Sequence, residues 1–290
     1  MLFGVCFIYA VQTTARKNFF SPHTVFMPSA YTHALIASET LRSLDPLLSE
    51  KLRRHLSLYF FGAQGADFCF FYTLPNGYAS PRNLGSFLHR NGYGAFRVCK
   101  AFSHTDEAIF AYSLGYITHY AADTVFHPYV YATAGNFPLR HSRVEEAFDL
   151  FFKKQKDNDE YASFFLKLPD VKERNELFLL YASIAANARL PLLNKTAFLR
   201  SFTLFNAYLS RPFPSFDEKN QLLLSELTNA HHREWTHPQK PLLKSREGGE
   251  ELFERSLQRS VSMIREFTKA VKEKTPLSFS SFGKNYLSGL

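Results

Sequence analysis

Three residues that are good metal ligands lie four positions apart in one apolar stretch of the sequence. In GYITHYAADTVFHPYV, residues 115–130, they are His119, Asp123 and His127. If this stretch is an α-helix, side chains at positions i, i+4 and i+8 share one face, with a drift of about 40° per step. Neutral imidazole and carboxylate groups are the ligands that Zn²⁺ and similar borderline cations prefer. The spacing therefore predicts a metal site on one face of a helix.

A second ligand pair follows on what the apolar pattern predicts to be the next helix. RHSRVEEAF carries His141 and Glu145, again at i and i+4, and we expect this helix to begin near Ser142. Two helices that face each other would gather three imidazoles and two carboxylates. Further candidates upstream are His33 in AYTHA, Asp67 in GADFCFFY and His89 in SFLHR.

Any one of these residues could be an ordinary hydrogen-bonded core residue, but this explanation is weaker for the whole set. A single histidine on an apolar helix face is more often a hydrogen-bonded core residue than a ligand, and an isolated His/Asp pair is mostly structural. Burying this many polar groups together is costly unless something satisfies them, and a metal cluster does so directly. The combined pattern therefore favours a metal cluster.

The elements that must position these residues are helices. Apolar residues recur at helical spacing along almost the whole chain, and strand-type alternation is hard to find, which predicts an all-α fold. Hydrophobic residues make up 46% of the 290 residues and aromatic residues 16%, enough for a sizeable core. We expect one helix near residues 29–42 and another near 105–126. The second would be capped by Thr105 or Asp106 and interrupted by Pro128.

The pattern predicts one domain flanked by two short segments. Residues 27–275 form the predicted multi-helix domain, and residues 276–290 form a C-terminal tail. Residues 1–26 hold an apolar run of about ten residues, too short to span a bilayer, with its basic residues after the run. We interpret this segment as an apolar leader or a non-native extension, since Met27 opens a natural beginning for the domain. No other stretch approaches the ~18 uninterrupted apolar residues of a transmembrane helix.

The charge of the chain suits an anionic partner. The formal net charge is +8, which is compatible with a phosphodiester substrate, with peripheral contact to an anionic membrane surface, or with a mildly basic soluble protein. Three widely spaced cysteines, Cys6, Cys69 and Cys99, form no CxxC pair, which favours a reducing compartment. We therefore expect a cytoplasmic or peripheral membrane protein rather than a secreted one.

Taken together, the motifs ADFCFF, FLHR, GYITHYAADTVFHPY and RHSRVEEAFD resemble the zinc-dependent phospholipase C family, including its bacterial phospholipase C/D-type relatives. The shared feature is the order Asp, His, HxxxD, His and HxxxE, after an aromatic N-terminal segment that bears another His. The resemblance is clear over about residues 27–150. It implies an all-α fold with a metal cluster at the bottom of a cleft, as in phospholipase C and the zinc nucleases.

The resemblance also implies how the candidate ligands divide among metal ions. The first group is Asp67, His89, His119 and Asp123. The second group is His127, His141 and Glu145. A third ion would be held by His33 and a bridging Asp123, and in secreted relatives it is also bound by the backbone of an N-terminal Trp. The only Trp of this sequence is Trp235, so we expect a cluster of two zinc ions, or a third position completed by solvent.

The activity implied by the resemblance is hydrolysis of a phosphodiester, most simply a phospholipid. Two or three zinc ions would activate water for attack on phosphorus. Asp67 would act as a ligand, as the general base, or as both in turn, and the sequence does not separate these roles. Trp235, in HHREWTHPQ, is a weak candidate for substrate contact; a surface loop with one anchored tryptophan is the simpler explanation.

Two alternatives stay open at the level of sequence. Zinc nucleases for single strands share this helical metal site, and they would need aromatic stacking platforms that the sequence does not place. A non-catalytic helical protein would hold zinc in closed tetrahedral sites, whereas open coordination positions would indicate catalysis. We predict no stable nucleic-acid partner, and the substrate head group and the oligomeric state stay open.

Overall fold

The computed structural model describes residues 30–72, 80–135, 138–156, 167–209 and 248–290, and regular structure in these ranges is entirely helical, which confirms the predicted all-α fold. The α-helices are α1 (Ala30–Ser43), α2 (Pro46–Arg53), α3 (Leu56–Gly62), α4 (Pro81–Leu88), α5 (Gly92–Ser103), α6 (Glu107–Ala134), α7 (Pro138–Lys156), α8 (Val171–Asn187), α9 (Lys195–Leu209), α10 (Gly249–Glu273) and α11 (Phe279–Phe282). A 3₁₀-helix (Asp67–Phe71) lies between α3 and α4. None of the described helices combines the length and apolar character needed to cross a bilayer. The predicted leader, residues 1–26, and Trp235 lie outside the described residues.

Helix α6 is the central element of the fold. Asp106, one of the two predicted caps, accepts a hydrogen bond from the backbone nitrogen of Ile109 at 2.9 Å. Most side chains of α6 are buried on all sides, as expected of a helix that other helices enclose. It packs against α1, α3, α5, α7 and α10. The residues at i, i+4 and i+8 on α6 therefore face the interior of the protein.

Pro128 does not interrupt α6, so the expectation from the sequence was wrong. The helix continues through Pro128 and ends at Ala134, with Gly135 as its C-cap. A proline inside a helix removes the hydrogen bond to the carbonyl of residue i−4, here Thr124. The C-terminal segment covers this place, because an added Cβ on Gly289 would lie 2.5 Å from the Thr124 oxygen. The roughly 3 kcal/mol that an interior proline costs is offset by the burial of the surrounding turns. His127 therefore lies within a continuous helix.

Helices α3 and α6 approach each other closely at two glycines. A Cβ atom on Gly115 would lie 1.9 Å from the carbonyl oxygen of Tyr59. One on Gly62 would lie 2.2 Å from the carbonyl oxygen of Tyr112. A residue with a side chain does not fit at either contact. Because α3 leads into the turn and 3₁₀-helix that carry Asp67, this contact holds Asp67 beside α6.

Helix α7 begins at Pro138, four residues before the predicted start near Ser142. Proline is favoured at the first helical position because its missing N–H has no helical partner there and its φ is already helical. The earlier start places His141 and Glu145 on the same helix, one turn apart.

The predicted boundary between a domain and a tail at residue 275 stays a prediction. Beyond it, Leu277, Phe282 and Tyr286 are buried in the same core as residues of α5 and α6. These C-terminal residues therefore contribute to the packing around the central helix.

Candidate metal centre

The side chains of the eight candidate ligands lie together around the middle of α6. They come from α1, the 3₁₀-helix, the C-cap of α4, α6 and α7. Seven are buried, and His141 is partly buried. Three sets of three residues have candidate ligand atoms within 4.8 Å of one another. Asp67, His89 and His119 belong to the first ligand group defined above, and His127, His141 and Glu145 are the second. The remaining set is His33, His119 and Asp123.

Asp123 connects these groups. Its Oδ1 lies 3.3 Å from Nε2 of His33, and its Oδ2 lies 3.2 Å from Nε2 of His119. Oδ2 is also 3.8 Å from Nε2 of His89 and 3.9 Å from Nδ1 of His127. A carboxylate with imidazoles at both oxygens has the arrangement that a bridging ligand requires.

Asp67 and His89 complete the first group. Oδ1 of Asp67 is 2.9 Å from Nε2 of His89 and 3.7 Å from Nε2 of His119. His89 occupies the C-cap of α4, where its Nδ1 lies 2.8 Å from the carbonyl oxygen of Gly85. Because Nδ1 donates its proton to this carbonyl, Nε2 is the nitrogen that faces the centre.

The second group joins α6 to α7. Oε1 of Glu145 lies 3.3 Å from Nε2 of His127 and 3.1 Å from Nε2 of His141. The other ring nitrogen of His127, Nδ1, lies 3.1 Å from the carbonyl oxygen of Tyr286. Both imidazoles therefore present Nε2 to the same carboxylate.

His119 fits beside a turn that has no side chain. Gly65 has a φ of 57°, in the left-handed region, and an added Cβ there would lie 2.0 Å from Cδ2 of His119. The hydroxyls of Tyr112 and Tyr181 are hydrogen-bonded to each other at 2.6 Å and lie 3.4 and 3.3 Å from the Gly65 carbonyl oxygen, which accepts from this pair and fixes the turn. Gly65 is thus needed both for its backbone conformation and for the space that the imidazole fills.

Five buried polar atoms of the centre have no hydrogen bond among the described residues: Nδ1 of His33, Nδ1 and Nε2 of His119, Oδ2 of Asp123 and Oε2 of Glu145. The close approach of His119 Nε2 to Asp123 Oδ2 lacks the geometry of a hydrogen bond. Each unsatisfied buried atom costs about 1–3 kcal/mol, so native proteins rarely cluster them. A cavity of about 10 Å³, large enough for one small occupant, lies between His33, Asp123, His127 and Glu145. These nitrogen and oxygen donors fit Zn²⁺.

Close pairing shifts the pKa values of the centre. Burial lowers the pKa of His127, but the carboxylates of Asp123 and Glu145 outweigh this effect and raise it to about 9. The same two effects act on the other groups, and pairing with the opposite charge again outweighs burial. The pKa values of His33 and His89 are raised, and those of Asp67, Asp123 and Glu145 are lowered. Without a metal ion, His127 is therefore protonated at neutral pH and pairs with the carboxylates of Asp123 and Glu145.

We predict that the metal-free protein loses stability as the pH rises from 7 to 8.5. The pKa of His127 is about 9 in the folded protein against 6.5 for an ordinary histidine. Its stabilising contribution is therefore complete below pH 6.5 and is lost as the pH rises through 9. The expected loss from His127 is about 2 kcal/mol over this range, measured by urea denaturation after chelator treatment.

Two variants control this measurement. His127→Ala should flatten the pH dependence, whereas His104→Ala, which removes an exposed histidine, should leave it unchanged. A free energy of unfolding that is constant or rises between pH 7 and 8.5 would contradict the prediction.

Asp149 was not singled out from the sequence, yet it supports the site. It is buried on α7, one turn beyond the candidate ligand Glu145, and it accepts hydrogen bonds from the backbone nitrogen and hydroxyl of Thr32 at 2.8 and 2.6 Å. The backbone nitrogen of Tyr31 donates to it at 3.3 Å. Asp149 thus satisfies the first N–H groups of α1, the helix that carries His33. Burial raises the pKa of Asp149 to about 6.

The fold and the centre together define an all-α protein with a buried histidine and carboxylate site suited to zinc. A family model described as zinc dependent phospholipase C matches residues 32–189, more than half of the 290-residue chain, and this range contains all eight candidate ligands. The chain therefore belongs to the zinc-dependent phospholipase C family, whose domain is a metal-dependent hydrolase of phospholipase type. No curated protein and no solved structure matches it.

Proposed function

We propose that the protein is a zinc-dependent phosphodiesterase of phospholipase C type that acts on phospholipids. The observation that carries this proposal is the cluster of unsatisfied buried nitrogen and oxygen atoms, of which those of His33, Asp123 and Glu145 belong to residues that line a cavity of about 10 Å³. Zinc bound there would polarise the phosphoryl oxygens of the substrate and lower the pKa of water towards neutrality. The family match supports the reaction class.

In this proposal the residues of the chain have separate tasks. Asp123 joins the first and second ligand groups and balances the charge of the imidazoles around it. Asp67 serves as a ligand and as the acceptor of a proton from the attacking water. Its pKa is lowered because the charges of His119 and His89 outweigh the effect of burial, so Asp67 is ionised at neutral pH.

We propose two zinc ions as the core of the cluster. In each of the two main groups, three nitrogen or oxygen ligand atoms lie within 4.8 Å of one another, and a zinc ion held by three such ligands would keep an open position for catalysis. For a third ion, His33 and Asp123 are the available side chains among the described residues, and solvent would complete its coordination. A phospholipid substrate also brings the protein to a membrane surface, where its net charge of +8 favours anionic lipids.

The function is tested by metal analysis followed by a substrate comparison. Protein purified without chelator should contain two or three zinc ions per chain. It should hydrolyse phospholipid vesicles and bis-p-nitrophenyl phosphate, and chelation should abolish this activity until zinc is restored. Asp67→Asn, which removes the proton acceptor with little change in shape, should lower the activity by about 100-fold or more.

The control for Asp67→Asn is Asp45→Asn, because Asp45 caps α2 and asparagine caps a helix equally well. Hydrolysis of single-stranded DNA in preference to phospholipid would replace the proposal with a nuclease function. Tightly bound zinc without hydrolysis of either substrate would indicate a structural role for the metal.

A further inference from the structure

Tyr286 is in hydrogen-bond contact with both ligand groups through its backbone. Its N–H donates to the carbonyl oxygen of His89 at 3.1 Å, and its own carbonyl accepts from Nδ1 of His127 at 3.1 Å. We propose that Tyr286 is a positioning residue of the metal centre, which selects the tautomer of His127 and ties the first ligand group to the second. This inference rests on the metal centre proposed above and adds the C-terminal segment to it.

The carbonyl of Tyr286 determines which nitrogen of His127 is available to a metal. A carbonyl oxygen only accepts hydrogen bonds, so the neutral imidazole must carry its proton on Nδ1. Nε2 then keeps its lone pair, at 3.3 Å from Oε1 of Glu145. Without this acceptor, Nδ1 would compete as a ligand, since it lies 3.9 Å from Oδ2 of Asp123. The contact therefore assigns His127 to the group that includes Glu145.

The N–H of Tyr286 fixes the other side of the centre. His89 stands at the C-cap of α4, where backbone carbonyls have no partner within the helix. Tyr286 supplies one, and its ring lies against two imidazoles, with centroids 5.0 Å from His89 and 6.1 Å from His119. One residue thus contacts ligands on α6 and at the end of α4, which are far apart in the sequence.

Tyr286 is itself held firmly enough to position other groups. It is fully buried, its hydroxyl donates to the hydroxyl of Tyr116 at 3.1 Å, and its ring packs 4.6 Å from that of Tyr120. The Tyr120 hydroxyl accepts from the backbone nitrogen of Lys284 at 2.7 Å. Gly92 leaves room for the ring, because an added Cβ there would lie 2.8 Å from Cε1 of Tyr286. A ligand is oriented accurately only when its partner is itself fixed by packing.

The segment that leads to Tyr286 is docked on two helices. Glu266 of α10 accepts hydrogen bonds from the backbone nitrogen of Ser278 at 3.0 Å and from the hydroxyl of Ser281 at 2.6 Å. Tyr93 of α5 donates to the carbonyl oxygen of Leu277 at 3.1 Å. The C-terminal segment is therefore placed by contacts independent of the metal centre.

Two truncations separate the effect of Tyr286 from that of the residues after it. A chain that ends at Lys284 lacks Tyr286 with its N–H, carbonyl and ring, whereas a chain that ends at Leu287 keeps the Tyr286–Leu287 amide and loses only residues 288–290. We expect the first truncation to weaken zinc binding at one site by about 10- to 100-fold, and the second to bind zinc like the full chain. Competition with a chromophoric chelator measures the affinity, and far-UV circular dichroism compares the folds. Unchanged zinc affinity in a folded chain ending at Lys284 would overturn the inference.

A measurement on the full-length protein tests the tautomer of His127 directly and does not require the truncated chain to fold. ¹⁵N NMR of the zinc-loaded protein, with His127 assigned by the loss of its signal in His127→Ala, should show a protonated Nδ1. An unprotonated Nδ1 in a protein that binds zinc would overturn this inference alone. Absence of zinc from the full-length protein would overturn the proposed function together with it.

Discussion

Replacing Asp123 with Asn is expected to remove zinc from the first ligand group and to abolish phosphodiesterase activity. Asp123 is the carboxylate nearest to His33 and His119, at 3.3 and 3.2 Å, and its Oδ2 has no hydrogen bond among the described residues. Asparagine keeps the shape but replaces one oxygen by an NH₂ group, which cannot ligate a cation and carries no negative charge. The bridge between the groups is thus lost with little change in volume.

The expected size of the effect follows from the number of imidazoles that depend on this carboxylate. We expect at least one zinc ion fewer per chain and a loss of activity of about 100-fold or more, since the metal supplies most of the charge stabilisation in such a reaction. In the metal-free protein, removal of one partner from a buried ion pair should also cost about 3–5 kcal/mol of stability. Elemental analysis, initial rates on phospholipid vesicles and urea denaturation measure the three effects.

Asp106→Asn is the matched control, because it makes the same substitution on the N-cap of the same helix, away from the centre. It should retain the zinc content and the activity, since asparagine caps helices as well as aspartate does. Full zinc content in a folded Asp123→Asn protein would show that Asp123 does not bridge the groups. His127→Ala should differ from both by losing metal from the second group alone.

The local spacing of the candidate ligands on α6 and α7 could be converted into geometry from the sequence alone, because residues one helical turn apart lie on the same face. His119, Asp123 and His127 had to share a face once the stretch was helical, and the same holds for His141 and Glu145 on α7. The candidates before α6 were chosen by residue type, and only the family resemblance assigned them to particular metal ions, since no local period connects them with α6. Their convergence is a property of tertiary packing.

The supporting residues could not be predicted because their contacts are distant in the sequence. Asp149 meets the start of α1 across more than 110 positions, and Tyr286 meets His127 across 159. Neither residue type is distinctive where it stands in the chain. Local rules also failed at Pro128, where packing against the C-terminal segment outweighs the preference of proline to end a helix. Sequence patterns thus identify the candidate ligands more readily than the residues that position them.

Gly65→Ala should be among the most damaging single substitutions, although Gly65 is not a ligand. Its φ of 57° costs a residue with a side chain about 1–2 kcal/mol. The added methyl group would also lie 2.0 Å from Cδ2 of His119, and displacing a buried imidazole adds about 1–3 kcal/mol of overpacking. We therefore expect a loss of about 2–5 kcal/mol of stability in the metal-free protein and the loss of zinc from the first group.

Gly94→Ala is a control that we expect to change the stability in the opposite direction. Gly94 lies in α5, and an added Cβ there has no atom within 4 Å apart from its own neighbours in the chain. Alanine should therefore stabilise that helix by up to about 1 kcal/mol and leave the zinc content unchanged. Urea denaturation of both chelator-treated variants, with metal analysis of both untreated ones, compares the two substitutions. If Gly65→Ala keeps its zinc and its stability, then the position of His119 does not depend on this turn.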